Sequence, residues 1–456
     1  MSERASEPGR RLLSGWGKTA PTAATAVTPE RPEEVAKLLA DPAPGGVLPR
    51  GLGRSYGDSA QCGGGTVIDC TRLSGVLALD AAAGTATVAG GTSLDDLMRW
   101  LAPMGWFVPV TPGTRFVTVG GAIASDIHGK NHHGDGSFGS AVLSMELALA
   151  GGERRTLTPE ADPEAFWATV GGMGLTGTVL AATIRLRPIS TTSMLVDTER
   201  VADLDDCMAR MESGDADHRY SVAWIDSSAS GAKLGRGVLD RGDHAPLDQL
   251  PPRQRAKARR YDASSRFTAP PWMPSGLMNP LTLGVFNELW FHKAPRCRRG
   301  HLMSIPAFFY PLDQVAGWNR FYGQKGMLQH QCVVPFGAEE TIRVMLERLV
   351  AARFPSFVTV LKRFGPGTPG PLSFPMPGWT LNLDIPIGRP ELGPLLDGFD
   401  ELVVEAGGRL YLAKDSRMRP EHLPAMYPRL EEWRAARRRL DPHGVLESDQ
   451  SRRLGL

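Results

Sequence analysis

The chain reads as an α+β protein of two domains, and three observations carry that reading. Its 456 residues exceed what one simple hydrophobic core organises, so two domains are expected. Strand-like and helix-like segments follow one another irregularly, with no βαβαβ run of the kind that builds a doubly wound sheet. The texture changes near residue 190: three glycine-rich clusters (51–57, 113–121 and 171–177) lie before it, and a proline-rich stretch at about 245–285 lies after it.

Along the first part, "TPERPEEVAKLLA" (28–40) predicts a helix from its Thr and Pro start, acidic first turn and apolar spacing. "GVLPRGLGRSYGD" is a short strand running into a loop, and "GTVIDCTRL" and "GTATVAGG" alternate as strands do. "TSLDDLMRWLAPMG" is a capped amphipathic helix, and "SMELALAGGERRTLTP" a hairpin. Beyond the proline-rich stretch, "SIPAFFYPLD", "GMLQHQCVVPF", "FVTVLKRFG" and "GWTLNLDIPI" read as strands. "PELGPLLDGFDELVVEAGG" reads as a helix leading into "RLYLAKDSR", and a charged helix closes the chain.

Composition excludes several classes of function. With 51 Lys+Arg against 49 Asp+Glu, nothing global points to nucleic acid. The cysteines at 62, 70, 207, 297 and 332 are odd in number and contain no C-x-x-C pair, which argues against a disulfide framework or a zinc site and fits a reducing compartment. No apolar run approaches the roughly 18 residues that span a bilayer. "MSERASEPGRRLLSGWG" lacks the apolar core of a signal peptide, so the expected location is cytoplasmic.

The loop "RGLGRSYGDSAQCGGG" (50–65) mixes bare backbone with arginine. Glycine admits positive φ and close approach, and turn amides form nests for anions to which arginine adds charge. Gly172-x-Gly174-x-x-Gly177 matches the dinucleotide fingerprint, with Asp197 at a suitable distance. Its third glycine must open a helix on the pyrophosphate. Here "TGTVLAATIRLRP" follows, β-branched and alternating, so a strand is expected and a Rossmann site is rejected. Three glycine clusters in one domain instead suggest a large ligand threaded between loops, with a diphosphate as the part that amides cradle.

"RGLGRSYGD", "PGTRFVTVGGAIASDIHGKNHH", "FWATVGGMGLTG" and "GGRLYLAKDSR" resemble the vanillyl-alcohol-oxidase type of FAD enzyme, and most closely those members that oxidise a polyprenylphosphoryl ribose. The resemblance runs nearly end to end. It implies an FAD-binding domain over 10–189 completed by 408–456, and an antiparallel-sheet substrate domain over 190–407 with a mobile loop at about 245–285. It implies that Pro49, Arg50, Gly51, Leu52, Gly53, Arg54, Ser55, Tyr56, Gly57, Asp58 and Ser59 line the FAD, its pyrophosphate being the anion of the first loop. Gly113, Thr118, Val119, Gly120 and Gly121 follow, then Ser125, Asp126, Ile127 and His128, and finally Val179 and Tyr411. Many relatives carry, where Arg54 stands, a histidine bonded to the flavin; arginine cannot make that bond, so a dissociable FAD is expected.

The chemistry is removal of hydride from a sugar carbon and of a proton from its hydroxyl. Lys414 is the candidate for the proton, as a base if neutral or as a stabiliser of the alkoxide if protonated; pairing with Asp415 on the surface is the bland alternative. His128 could hold the substrate hydroxyl or the flavin ring, or serve only structure. His128, His132 and His133 find no carboxylate or cysteine to complete a metal set, and no metal is expected. Gln329 and Gln331 alternate with apolar neighbours, as do Thr380, Asn382 and Asp384, which places them on one face of their strands. If that face covers the flavin it binds a sugar phosphate, with Lys362 as phosphate partner. Lys130 and Arg320 complete the expected substrate contacts. Family members can carry cysteine where Asn382 stands; its loss removes a modifiable thiol.

The expected reaction is oxidation of the 2-hydroxyl of decaprenylphosphoryl-ribose to the 2-keto sugar, with an NADH-dependent keto-reductase as partner completing epimerisation to the arabinose donor of cell-wall arabinan. An alditol or aldonolactone oxidase of the same fold, and a non-catalytic flavin-binding scaffold, are the alternatives. "RQRAKARR" and the apolar "FTAPPWMPSGLM", within 253–278, suit a peripheral membrane contact or simply a solvated loop. Relatives have been placed in the cell envelope, which is the alternative location.

Overall fold

A computed structural model describes residues 9–354 and 356–456. Two sheets form the first part of the chain. β1 (Gly9–Leu13), β2 (Thr22–Val27), β3 (Val47–Arg50) and β4 (Thr66–Asp69) make a mixed sheet of order β1-β2-β4-β3. β5 (Val76–Asp80), β6 (Thr85–Ala89), β7 (Val142–Ala148), β8 (Arg154–Leu157) and β9 (Thr178–Arg185) make an antiparallel sheet of order β5-β6-β9-β7-β8. The helix Leu94–Leu101 follows β6, with Ser93 accepting from the Asp96 amide as N-cap. β9 directly follows Gly177, so the apparent dinucleotide motif runs into a strand, as its β-branched residues dictate.

A larger antiparallel sheet forms the second part. It contains β10 (Ser193–Val201), β11 (Tyr220–Ile225), β12 (Gly237–His244), β13 (Cys297–Ser304), β14 (Met327–Val334), β15 (Thr359–Phe364), β16 (Gly378–Pro386) and β17 (Arg409–Leu410), in the order β13-β10-β12-β11-β15-β16-β14-β17. The helices Glu339–Ala351 and Leu392–Glu405 turn Ile342, Met345, Leu396 and Phe399 into the core on one side of it. The other side is left to the site.

Two expectations need correcting. "SIPAFFYP" is not a strand: Ser304 caps a short helix, Ile305–Phe309, by accepting from the Ala307 amide, and Pro306 suits its first turn. The proline-rich stretch, expected as a loop, also ends in regular structure, because a capping box at Asn279 with Pro280 behind it starts the helix Pro280–Lys293.

The chain end returns to the first sheet. Val47 donates to the Val445 carbonyl and accepts from the Glu447 amide, and Arg453 pairs with Asp58 and Asp415. Among the described residues no helix is long and apolar enough to cross a membrane.

Candidate active site

The three glycine clusters meet. Gly51 and Gly53, Gly113, Gly120 and Gly121, and Gly174 and Gly177 all line one cavity of about 810 Å³, and the polar face of β14, β15 and β16 closes it from the opposite side. Pro49, Arg50, Leu52, Arg54, Ser55, Tyr56, Ser59, Thr118, Ser125, Ile127, His128, Val179 and Tyr411 line it too, as do Lys130, Gln329, Gln331, Lys362, Asn382 and Lys414.

Other expected contacts face elsewhere. Asp58 is held by Arg453, and Val119 is a core residue whose amide donates to Thr92. Gly57 lies against the Asp415 carbonyl, where a Cβ would come within 1.8 Å. Asp126 is fully buried and accepts from Ser137, Gly139 and Thr368, which pins its loop from behind. Arg320 does not line the cavity and donates to the Ala269 carbonyl instead.

The glycine end has the character of an anion cradle. Among the described residues, the amides of Leu52, Gly53, Arg54 and Ser55 have no protein acceptor. Arg54 lies over the Trp16 ring, 3.9 Å from its centroid, and its Nε and the buried hydroxyls of Ser59 and Thr178 have no partner among the described residues. Arg50 has a different task, donating to the Ala60 and Ser14 carbonyls and so closing the loop. Free amides, a stacked guanidinium and unsatisfied hydroxyls fit a diphosphate joined to flat rings, which is the shape of FAD.

At the sheet end the register brings the polar residues together: Gln329 is opposite Asp384, Gln331 and Val360 flank Asn382, and Lys362 is opposite Thr380. Gln329 donates to Asp384 Oδ1, while Oδ2 is buried without a partner among the described residues. Lys414 sits over the Tyr56 ring, 4.1 Å from its centroid. Burial pushes the Lys414 ammonium down, opposed by the charge of Asp384, and burial pushes the Asp384 carboxyl up. Burial, with Lys130 and Lys414 nearby, lowers Lys362 to about 7. Lys130, lowered by burial to about 8, donates to the Phe308 carbonyl at 2.6 Å.

His128 is neutral, because burial and then the Lys362 charge hold it far below its ordinary range. Gln331 Nε2 donates to His128 Nε2 at 2.8 Å, which leaves the proton on Nδ1, and Nδ1 has no acceptor among the described residues. The rings of Phe364, Phe374 and Tyr411 fix the imidazole, with centroids 4.8, 5.5 and 5.2 Å away. His132 packs against Phe364 with the rings tilted, and among the described residues no cluster of three or more His, Cys, Asp or Glu could hold a metal ion.

Sequence reasoning missed the far wall, where Val222, Trp224, Val238 and Met303 line the same cavity from β11, β12 and β13. Their alternation was visible, but an apolar face carries no chemical signature. It also missed Arg115, 2% exposed, which joins Asp95 at 2.8 Å to Asp313 at 3.4 Å and ties the first part of the chain to the second.

A family profile described as an FAD binding domain matches residues 23–158, and one described as D-arabinono-1,4-lactone oxidase matches residues 387–454. The chain is 46% identical over 451 residues to decaprenylphosphoryl-beta-D-ribose oxidase of Mycolicibacterium smegmatis, covering 98% of each chain. It is 42% identical over 373 residues to an uncharacterized protein of Streptomyces coelicolor, covering 80% of this chain and 100% of that one. A shorter match, 29% over 144 residues, relates it to D-arabinono-1,4-lactone oxidase of Eremothecium gossypii, covering 30% of this chain and 27% of that one.

Proposed function

Because the chain belongs to the decaprenylphosphoryl-ribose oxidase family of FAD-binding oxidoreductases, we propose that it oxidises the 2-hydroxyl of a polyprenylphosphoryl-β-D-ribose to the 2-keto sugar. The observation that carries this reading is Lys362: a half-buried lysine with no hydrogen-bond partner among the described residues, facing the cavity beside the Gln329, Gln331 and Asn382 amides and Lys414. Such a cation suits a phosphate; a free sugar would leave it uncompensated.

FAD, held by the amides of 52–55 and by Arg54, would supply the acceptor for the hydride. The rest falls to the protein. Gln329, Gln331 and Asn382 present amides to the sugar hydroxyls, and His128 offers its Nδ1–H. Lys362 and Lys130 hold the phosphate. Lys414, its ammonium destabilised by burial, takes the hydroxyl proton on Nζ, and Asp384 sets how readily it does so. We assign the cofactor to the part spanning 10–189 with 408–456, the sugar to 190–407 with His128, Lys130 and Lys414 reaching it from the cofactor part, and a non-covalent linkage to FAD because Arg54 cannot bond to it. A keto sugar becomes the arabinose epimer only by hydride return, which we assign to a separate NADH-dependent keto-reductase serving cell-wall arabinan synthesis.

The match of residues 387–454 to the lactone-oxidase profile favours a second reading, oxidation of an alditol or aldonolactone. Steady-state rates with a short-chain prenylphosphoryl-ribose and with D-arabinono-1,4-lactone separate the two. The first substrate is expected to turn over and the second not; the reverse would establish the second reading.

A further inference from the structure

The cavity is exposed at two ends. Leu52 and Gly113 form one rim, where the cradle for the diphosphate lies, and Trp290, Lys293 and Pro295 form the other. With the cofactor at the first, a lipid-linked substrate must enter and trail its chain through the second. The path to it is the apolar wall of Val222, Trp224, Val238 and Met303.

The helix Pro280–Lys293 borders that second rim. Its inward side is fixed: Leu283 and Asn287 are buried, Asn287 donates to Asp226, and Phe286 packs on Phe357 with centroids 4.8 Å apart. Its outward side is a stripe of Leu281 (76% exposed), Val285 (53%) and Leu289 (67%) at helical spacing, and the loop leading into the helix exposes Trp272 (74%). Cations follow at once. Lys293, Arg296 and Arg298 are exposed and make no ion pair among the described residues, while Arg299 pairs with Asp197 and Glu199. Arg298 and Arg299 lie on β13, the outer edge of the large sheet, and Arg296 immediately precedes it. A rigid apolar stripe flanked by unpaired cations is complementary to an anionic bilayer surface, the apolar side chains entering the interface and the cations meeting headgroups.

We infer that the Pro280–Lys293 helix and the basic edge beside it form a docking surface for an anionic membrane, seating the second rim on the bilayer so that a lipid-linked substrate enters without leaving it. The inference rests on the proposed substrate class, and it moves the contact beyond the 253–260 basic run, where Arg255 is occupied by the Leu250 and Asp248 carbonyls.

The test is co-sedimentation of the FAD-loaded protein with phosphatidylcholine vesicles, with and without phosphatidylglycerol. Binding is expected only with the anionic lipid. It should fall about ten-fold or more in Leu281→Ser/Val285→Ser/Leu289→Ser and, independently, in Arg296→Glu/Arg298→Glu, while turnover of a short-chain soluble substrate stays unchanged in both. The charge-reversed variant decides the matter if the serine variant fails to fold. Equal binding of wild type and charge-reversed protein would overturn the inference. So would a stripe variant that changes the oligomeric state but not vesicle binding, since the stripe would then cover a second copy of the chain. Wild type that binds vesicles yet oxidises no prenylphosphoryl sugar would refute the proposed function and leave the membrane contact standing.

Discussion

Lys414 and Asp384 illustrate how burial rather than sequence neighbourhood assigns a role. Asp415, the adjacent acid, is turned to Arg453, so the lysine answers to Asp384, which lines the same cavity. Replacing Lys414 with Ala should lower kcat roughly 10²–10⁴-fold, the usual worth of a positioned base, with FAD still bound; stopped-flow reduction of the flavin measures it. With neutral Lys414 as base, kcat should fall as pH drops through its ionisation. The Asp384 carboxylate favours the ammonium, so Asp384→Asn should move that acid limb to lower pH, and an unmoved limb would remove Asp384 from the account. Lys362 predicts the opposite sign. Its amine loses its proton above about 7, whereas a phosphate prefers the ammonium, so KM should rise with pH above about 7, by at most roughly tenfold per unit. Lys362→Arg, charged throughout, should flatten that rise, and a KM in wild type already flat across pH 7–9 would contradict the phosphate role. These residues were legible in the sequence because period two put Gln329, Gln331, Thr380, Asn382 and Asp384 on one face. Asp58 and Asp126 were misplaced because adjacency in a loop does not say which way a side chain turns.

At the scale of elements, the glycine loops work because each is pressed against another part of the chain. Gly57 lies against the Asp415 carbonyl, so Gly57→Ala would force the first loop away from the segment bearing Lys414. FAD occupancy, read as the ratio of flavin absorbance to protein, should fall with activity; full occupancy would mean that the contact yields easily. Arg54 makes a second prediction: guanidinium chloride followed by ultrafiltration should carry all the flavin into the filtrate, whereas colour retained on the protein would demonstrate a covalent link. The strands were readable where β-branched residues alternate, as in β9, which is why the misleading glycine motif could be set aside. The Ile305–Phe309 helix was not, because an aromatic run resembles a strand until the Ser304 cap is weighed.

Over the whole molecule, the two parts share hydrophobic clusters rather than meeting at a simple seam. Ile305 and Phe308 from the second part pack with Leu97, Met98 and Phe107 from the first, and Arg115 bridges Asp95 to Asp313 in the same region. Such long-range pairing leaves no trace in sequence spacing. Arg115→Met takes the guanidinium from two buried carboxylates, leaving Asp95 with Arg99 and Asp313 with Thr114 and the residue-115 amide, so unfolding in urea should lose roughly 1–3 kcal/mol; a loss within about 0.5 kcal/mol would show that the acids are hydrated. The cavity between the two parts is where the central claim is decided. Mixing the purified yellow protein anaerobically with a short-chain prenylphosphoryl-ribose should bleach the visible flavin absorbance and yield the 2-keto sugar. A flavin that stays oxidised with this substrate but bleaches with an alditol or aldonolactone would contradict the assignment.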